Sequence, residues 1–395
     1  MTAALIFFWL SFALIGYAYL LFPAIIYLRG RFFKRPYTKA AIQPTVSLVM
    51  AMHNEQDDLP AKLENLLAMQ YPREKFEVVI ASDGSTDRTH AIMQACQADN
   101  FQMLLLPRVG KAAALNTAVS RAHGEILVFS DANSMYAPDA IARLAAPFAD
   151  PLVGGVAGNQ RYLNSRKNNL SQTGEKSYWN FDRLMKVYES QAGNVISATG
   201  AIYAIRRSLF QPIIDGVTDD FYTSTAVIEQ GYRLVFEPDA VSFEPVSPDA
   251  EREFKRKVRI ITRGLGGVIA RRTLLNPFRY GFYALQLFSH KVLRRLVVFP
   301  LVVILITSLL LAATSPLYAL AAAAQICFYA LAAVGYFLRG RRNRILKIAT
   351  LPFFFTMVNA ASLLAVLNVL RGNHIARWEP QRASAAPSSE KQGLP

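Results

Sequence analysis

The chain has 395 residues, room for two or three structural units, and 52% of them are hydrophobic, spread so that both ends are apolar and the middle reads as a soluble domain. Its formal net charge of +15 comes largely from Arg and Lys beside the apolar segments, which suits a membrane surface and argues against a nucleic-acid partner. Two cysteines, Cys96 and Cys327, one in each half, argue against a disulfide framework and fit a reducing compartment.

From the N-terminus, Ala3 to Leu28 is almost wholly apolar and long enough to cross a bilayer. No Lys or Arg precedes it, whereas Arg29, Arg31, Lys34, Arg35 and Lys39 follow it, so it reads as an anchor and not a cleaved signal. The positive-inside rule then puts the middle of the chain in the cytosol and the N-terminus outside. The expected location is the inner (cytoplasmic) membrane, with several spans. The expected units are an anchor and basic linker over 1–43, a cytosolic domain over 44–272, an interfacial amphipathic helix over 273–295, about three membrane helices over 296–370 and a disordered polar tail over 371–395.

The middle alternates strand and helix. Strands are predicted at Thr45 to Met52, Phe76 to Ser82, Phe101 to Leu106 and Glu125 to Ser130. Helices are predicted at Leu59 to Met69, Thr86 to Gln97, Lys111 to Ala122 and after Pro138. This alternation predicts an α/β fold, a mainly parallel sheet with helices on both faces, whose ligands bind at the carboxyl ends of the strands. Three polar clusters fall there: His53-Asn54-Glu55, Asp83-Gly84-Ser85 and Asp131-Ala132-Asn133. There is no dinucleotide glycine fingerprint, no HExxH and no paired CxxC, and "RVGKAAALN" lacks the first glycine and the Ser or Thr of a phosphate loop.

Beyond the domain, Asn276 to Leu296 is too short and too interrupted by bases to span. Candidate spans follow at Leu296 to Thr314, Leu317 to Leu338 and Ile348 to Leu370, with Ser315-Pro316 as a turn and the basic run Arg339 to Arg344 as an inside loop.

Together the stretches "AMHNE", "ASDGSTDRT", "RVGKAAALN", "FSDANSMY", "ATGAIYAIRRSLF", "VTDDFYTSTAVIEQGYRLVFEPDA" and "RKVRIITRG" resemble, in order and spacing, a membrane-embedded family 2 glycosyltransferase. The likeness runs from Val46 to about Gly264, with further likeness in "LFSHKVLRRL" and "RWEP", and the chain is similar to the branch that includes chitin-oligosaccharide, poly-N-acetylglucosamine, hyaluronan and cellulose synthases. The resemblance implies a GT-A fold, a nucleotide-diphosphate sugar donor with UDP expected, a Mg²⁺ or Mn²⁺ ion, and inversion at the anomeric carbon. The implied partners are a saccharide or lipid-linked acceptor and membrane lipid.

Residue by residue, the resemblance gives Asp131 and Asn133 to the metal, Asn133 standing where the family has a second aspartate. Asp83 matches the aspartate that bonds the nucleotide base, and Glu55 a residue near the uridine and ribose. Lys111 is expected on the donor phosphates or holding Asp83. Asp220 matches the catalytic base, with Asp219 supporting it. Arg259 and Arg263 are left to bind the diphosphate where the family has Gln-x-x-Arg-Trp; Arg256 takes the Gln position and Ile260 the Trp position, which puts long-chain processivity in doubt. Acceptor contacts are expected from Gly200, Tyr178 and Trp179, with Glu175 beside them. Other readings of the residues are a single transfer to a lipid phosphate or lipid-linked oligosaccharide, a transporter with a nucleotide-sensing domain, and an inactive scaffold. The near absence of ionisable residues in the spans argues against the transporter. The presence of Asp131 and Asp220 argues against the scaffold.

Overall fold

The computed structural model describes residues 1–96, 98–162, 170–245, 250–338 and 344–373; the side chains at 170–180, 250–252 and 344–347 lie outside that description. The basic run at 339–343, the "RWEP" stretch and the tail after Trp378 therefore lie outside the described residues.

Among the described residues eight strands form one sheet: β1 (Val46–Met52), β2 (Phe76–Asp83), β3 (Phe101–Leu106), β4 (Ile126–Phe129), β5 (Met135–Tyr136), β6 (Val153–Tyr162), β7 (Tyr203–Arg206) and β8 (Arg233–Glu244). Their order is β3-β2-β1-β4-β7-β6-β8-β5. The first four are mutually parallel, as the alternating pattern predicts. β7 runs antiparallel to both its neighbours, β6 pairs parallel with β8, and β5 runs antiparallel to β8, so the second half of the sheet is mixed.

Every residue of β1 is buried, because the sheet is covered on both faces and each strand feeds two cores. Alternate residues divide cleanly between them. Val49, Ala51, Val79, Ala81, Leu127 and Phe129 pack against the helix Lys111–Ser120. Leu48, Met50, Val78, Ile80, Ile126 and Val128 pack against the helices Leu59–Leu67 and Ala140–Ala145. The second predicted helix is shorter than expected, Thr89–Ala95. Asp87 lies before it: its carboxylate accepts the Thr89 N–H at 3.0 Å and the Gln56 N–H at 3.2 Å.

Among the described residues three helices are each long and apolar enough to cross a membrane, Thr2–Phe32, Pro316–Phe337 and Ile348–Leu370. Ser315 caps the second, its hydroxyl accepting the Leu317 N–H at 3.4 Å, with Pro316 in the first turn. The segment expected to span from Leu296 to Thr314 holds a 14-residue helix, Val298–Leu311, which meets Phe282–Leu296 at a 51° bend, and the two together are long and apolar enough to count as a fourth, broken span. Phe282–Leu296, expected to lie on the lipid surface, docks one face on the domain. Tyr283, Ala284, Gln286 and Leu287 are buried, the Tyr283 hydroxyl donates to the Ile196 carbonyl at 2.8 Å, and Gln286 donates to the Asn194 carbonyl at 3.0 Å. Leu285 and Phe288 remain on its open face.

The N-terminal helix is seated on the domain near its inner end. A Cβ on Gly30 would stand 2.5 Å from the Tyr188 carbonyl oxygen, so only glycine lets this helix approach the helix Leu170–Ala192 so closely. Tyr27 and Tyr188 meet edge to face at 4.8 Å, and the Arg29 guanidinium lies 4.2 Å over the Phe282 ring.

Candidate active site

The first two strand-end clusters are laced together. Asn54, in a left-handed conformation at φ 53°, accepts the Thr86 N–H on its side-chain oxygen at 2.8 Å, and its own N–H donates to the Ser85 hydroxyl at 3.0 Å. The Glu55 N–H donates to the Thr89 hydroxyl at 2.8 Å, and Glu55 itself lines the cavity described below. Asp83 is fully buried and does not line that cavity. Its carboxylate accepts the Val109 N–H at 2.6 Å, the Gly110 N–H at 2.9 Å and the Arg108 guanidinium at 2.7 Å. It shapes the loop that leads into the helix Lys111–Ser120.

Lys111 is not on Asp83. Its ammonium lies 2.9 Å from Asp131 Oδ1 and 3.1 Å from Asp219 Oδ2, joining the third strand-end cluster to the start of the helix Asp219–Glu229. Burial works against its charge, but these two carboxylates outweigh that and hold it above the ordinary lysine range. Burial likewise opposes the charge on Asp219, yet Lys111, aided by Arg263, keeps it below the usual carboxylate range. Asp220, the next residue, has no such bridge. Burial first and the Asp219 charge second push its carboxyl up to about 6, although it accepts the Phe221 N–H at 2.7 Å. One acid of the pair is thus fixed as an anion and the other is poised near neutrality.

Asp131 is the more open of the acids, its side chain 35% exposed towards the cavity. Its Oδ2 lies against Gly200, where a Cβ would come within 3.0 Å of it. Gly200 is therefore a spacer for Asp131 in addition to lining the cavity. Among the described residues no group of three His, Cys, Asp or Glu could enclose a metal. One accessible carboxylate with Asn133 beside it fits a hard cation that brings most of its oxygen ligands with a diphosphate.

Sequence reasoning missed two residues behind this turn. Lys62 is fully buried; its ammonium donates to the Ser130 hydroxyl at 2.8 Å and to the Ser134 carbonyl, and lies 4.3 Å over the Tyr136 ring. Burial pushes it down to about 7 against the pull of Asp131 and Glu244. Glu244, at the end of β8, accepts from the Ser134 hydroxyl and from Gln160 at 2.5 Å, and burial with the Asp131 charge pushes it up to about 7. The two grip the Ser130–Ser134 turn, Lys62 from the helix Leu59–Leu67 and Glu244 from β8.

Arg259 and Arg263 lie on the helix Ala250–Ala270 and line the same cavity, Arg263 donating to the Val217 carbonyl at 2.9 Å. Arg256, at the family's Gln position, forks onto Glu253 at 2.7 and 2.9 Å. Ile260 faces the cavity, 38% exposed. Tyr178, Trp179 and Glu175 fall on the helix Leu170–Ala192, but their side chains lie outside the described residues.

The sequence-predicted site residues other than Asp83 and those not described, together with Glu244 but not the fully buried Lys62, line one cavity of about 700 Å³, which extends from Asp131, Asp219 and Asp220 to the helix Ile348–Leu370. A family model described as "Glycosyl transferase family 2" matches residues 47–214, which contain β1 to β7 and the Asp83, Lys111 and Asp131 sites. The chain carries a glycosyl transferase family 2 domain. This domain is 28% identical over 221 residues to a poly-beta-1,6-N-acetyl-D-glucosamine synthase of Staphylococcus aureus, covering 54% of this chain and 53% of that one. It is also 28% identical over 232 residues to an N-acetylglucosaminyltransferase of Rhizobium meliloti, covering 54% of each. The match spans about half the length of these relatives. Among solved structures, a mannosyltransferase of Pyrobaculum calidifontis in complex with GDP-Man and Mn²⁺ superposes with a TM-score of 0.67 at 25% identity, over 92% of this chain and 99% of that one. The family 2 domain therefore has a GT-A fold, and the likeness extends through the membrane helices.

Proposed function

We propose that this chain is a membrane-bound inverting glycosyltransferase that moves a sugar from a nucleotide-diphosphate donor, UDP-linked, to a saccharide or lipid-linked acceptor in exopolysaccharide or cell-envelope glycan synthesis. The reading places it in the inner membrane as a multi-pass protein with its family 2 domain in the cytosol. The observation that carries it is the Lys111 bridge, which sets Asp131 and Asp219 on one ammonium beside the protonatable Asp220.

Arg259 and Arg263 bind the donor diphosphate, and Glu55 lies on its nucleoside side. Asp83 acts on the donor by shaping the loop from Arg108 to Gly110. Asp131 and Asn133 hold a Mg²⁺ or Mn²⁺ ion, which when bound offsets the charge of the departing diphosphate. Asp220 takes the proton of the acceptor hydroxyl as its oxygen bonds to the anomeric carbon from the face opposite the leaving group. Asp219, pinned by Lys111, keeps its neighbour's proton affinity high and its position fixed. Gly200 leaves room for Asp131, and Tyr178 and Trp179 serve the acceptor. Ile260 favours a single or short transfer over long-chain growth, because an isoleucine offers no stacking platform for a pyranose.

The test is the full chain in detergent with UDP-, GDP- and dTDP-sugars and Mg²⁺ or Mn²⁺. One donor should be turned over in a metal-dependent way, with Asp220→Asn lowering transfer by about 10²–10⁴-fold. Failure of folded protein to hydrolyse or transfer from any donor overturns the proposal.

A further inference from the structure

We infer that the acceptor is a saccharide joined through phosphate to a lipid tail, and that it lies along one line of side chains from the catalytic carboxylate to the membrane helices; this rests on the transferase reading above. The line can be followed contact by contact. The Lys291 ammonium lies 5.6 Å from the ring centre of Phe221, the residue after Asp220. One turn further along the same helix, the Arg294 guanidinium lies 5.9 Å from the ring of Tyr19 on the N-terminal membrane helix. That ring is 5.5 Å from Phe355 on the helix Ile348–Leu370. Lys291, Arg294, Tyr19 and Phe355 all line the cavity that holds Asp220, and Arg295 and Phe354 line it with them.

Three zones follow in order, each selecting a different chemistry. At the inner end a carboxylate waits for a proton. A phosphate monoester near neutral pH is already anionic and needs no base, and it would bring like charge to Asp219 and Asp220. The group reacting there is a neutral hydroxyl, which gives its proton to Asp220 as its oxygen forms the new bond and the bond to the nucleoside diphosphate breaks. In the middle stand Lys291, Arg294 and Arg295, on a different helix from Arg259 and Arg263, the pair assigned to the donor diphosphate. Three adjacent cations suit the one charge of a phosphodiester or the two of a diphosphate link. At the outer end Phe354 and Phe355 belong to a helix of membrane-spanning length, which an apolar tail can follow into the bilayer. A free oligosaccharide engages the first zone alone. A bare lipid phosphate engages the last two and leaves Asp220 without a proton to take. A saccharide on a lipid phosphate engages all three.

The experiment ranks four probes for binding to the full chain in detergent: farnesyl-diphospho-N-acetylglucosamine, the uncharged farnesyl glycoside of the same sugar, farnesyl phosphate and free chitotriose. The first should bind at least about tenfold more tightly than the uncharged glycoside and than chitotriose. It should accept sugar where farnesyl phosphate does not. The double variant Arg294→Gln, Arg295→Gln should lose at least about tenfold of the preference for the charged link, with the melting temperature checked in parallel; the wild-type ranking stands without it. Equal binding of chitotriose, or transfer to farnesyl phosphate as good as to the lipid-linked sugar, overturns the inference. Donor hydrolysis is followed in the same preparation. Hydrolysis that persists while the ranking fails sinks the acceptor assignment alone, and absence of any donor turnover sinks the transferase reading with it.

Discussion

Asp220 carries opposite demands on activity and on stability, and pH separates them. As the base proposed above it acts as the carboxylate, so transfer should fall as pH drops through about 6 and level off above it. Its folded-state proton affinity exceeds that of an ordinary carboxyl, so folding takes up a proton. The folded state is accordingly favoured below the ordinary carboxylate range and loses that advantage as pH rises through about 6. Asp220→Asn should therefore be inactive yet melt at a higher temperature than wild type at pH 7.5, with no gain near pH 4. A rate profile flat from pH 5 to 8, with melting unchanged by the substitution, would count against both halves. Asp131, Lys111, Asp219 and Asp220 were legible as residues because each sits in a local motif. Lys62 and Glu244 were not: they reach the metal turn from 68 and 110 positions away, and no local pattern marks a side chain whose partners come from other strands. Of the two partners expected for Lys111, Asp83 is not the one it holds: its acids are Asp131, 20 positions away, and Asp219 on a distant helix, and only the folded loop decides between them.

The turn between β4 and β5 is the element on which the metal reading depends. With Asn133 in place of a second acid, it has less charge to hold a cation and depends more on being held in shape. Lys62 supplies that hold through Ser130 and the Ser134 carbonyl. Lys62→Met keeps most of the buried stem and removes both hydrogen bonds. It should destabilise the protein by about 1–3 kcal/mol and raise the Mn²⁺ concentration for half-maximal activity about tenfold. Unchanged metal titration and melting would show the turn to be held without it. The parallel half of the sheet was readable as short apolar runs separated by helical ones. β6, β7 and β8 were not drawn out, because long helices intervene and their pairing order departs from chain order. The bend before Val298 falls where the sequence changes character, at the end of the segment interrupted by Lys291, Arg294 and Arg295, but its angle and the docking of Tyr283 and Leu287 on the domain have no local signal.

The whole molecule is a family 2 domain clamped to its long apolar helices rather than hung from them. At Gly30 the close approach is backbone to backbone, so no rotamer change can relieve an added side chain. Gly30→Val should lower stability by about 1–3 kcal/mol and expose the 33–45 linker to protease, with the loss seen in melting curves and in cleavage rate. A variant as stable and as protease-resistant as wild type would mean the helix is not seated there. The two π-helical turns, Tyr17–Leu21 and Phe288–Leu293, bear on the same assembly. A π turn holds one residue more than the α turn it replaces, and each residue advances a helix by about 100°. The turn at Phe288–Leu293 therefore resets the rotational phase of its helix. Tyr283 and Leu287 before it face the domain core, while Lys291 within it and Arg294 beyond it face the cavity. The Tyr17 and Ser289 hydroxyls meet at 2.8 Å, so the two π turns pack against each other. Deleting one residue from either turn would swing the following half of that helix out of phase while leaving its composition almost untouched. The path from membrane to Asp220 is thus encoded partly in a residue count, which no inventory of side chains would reveal.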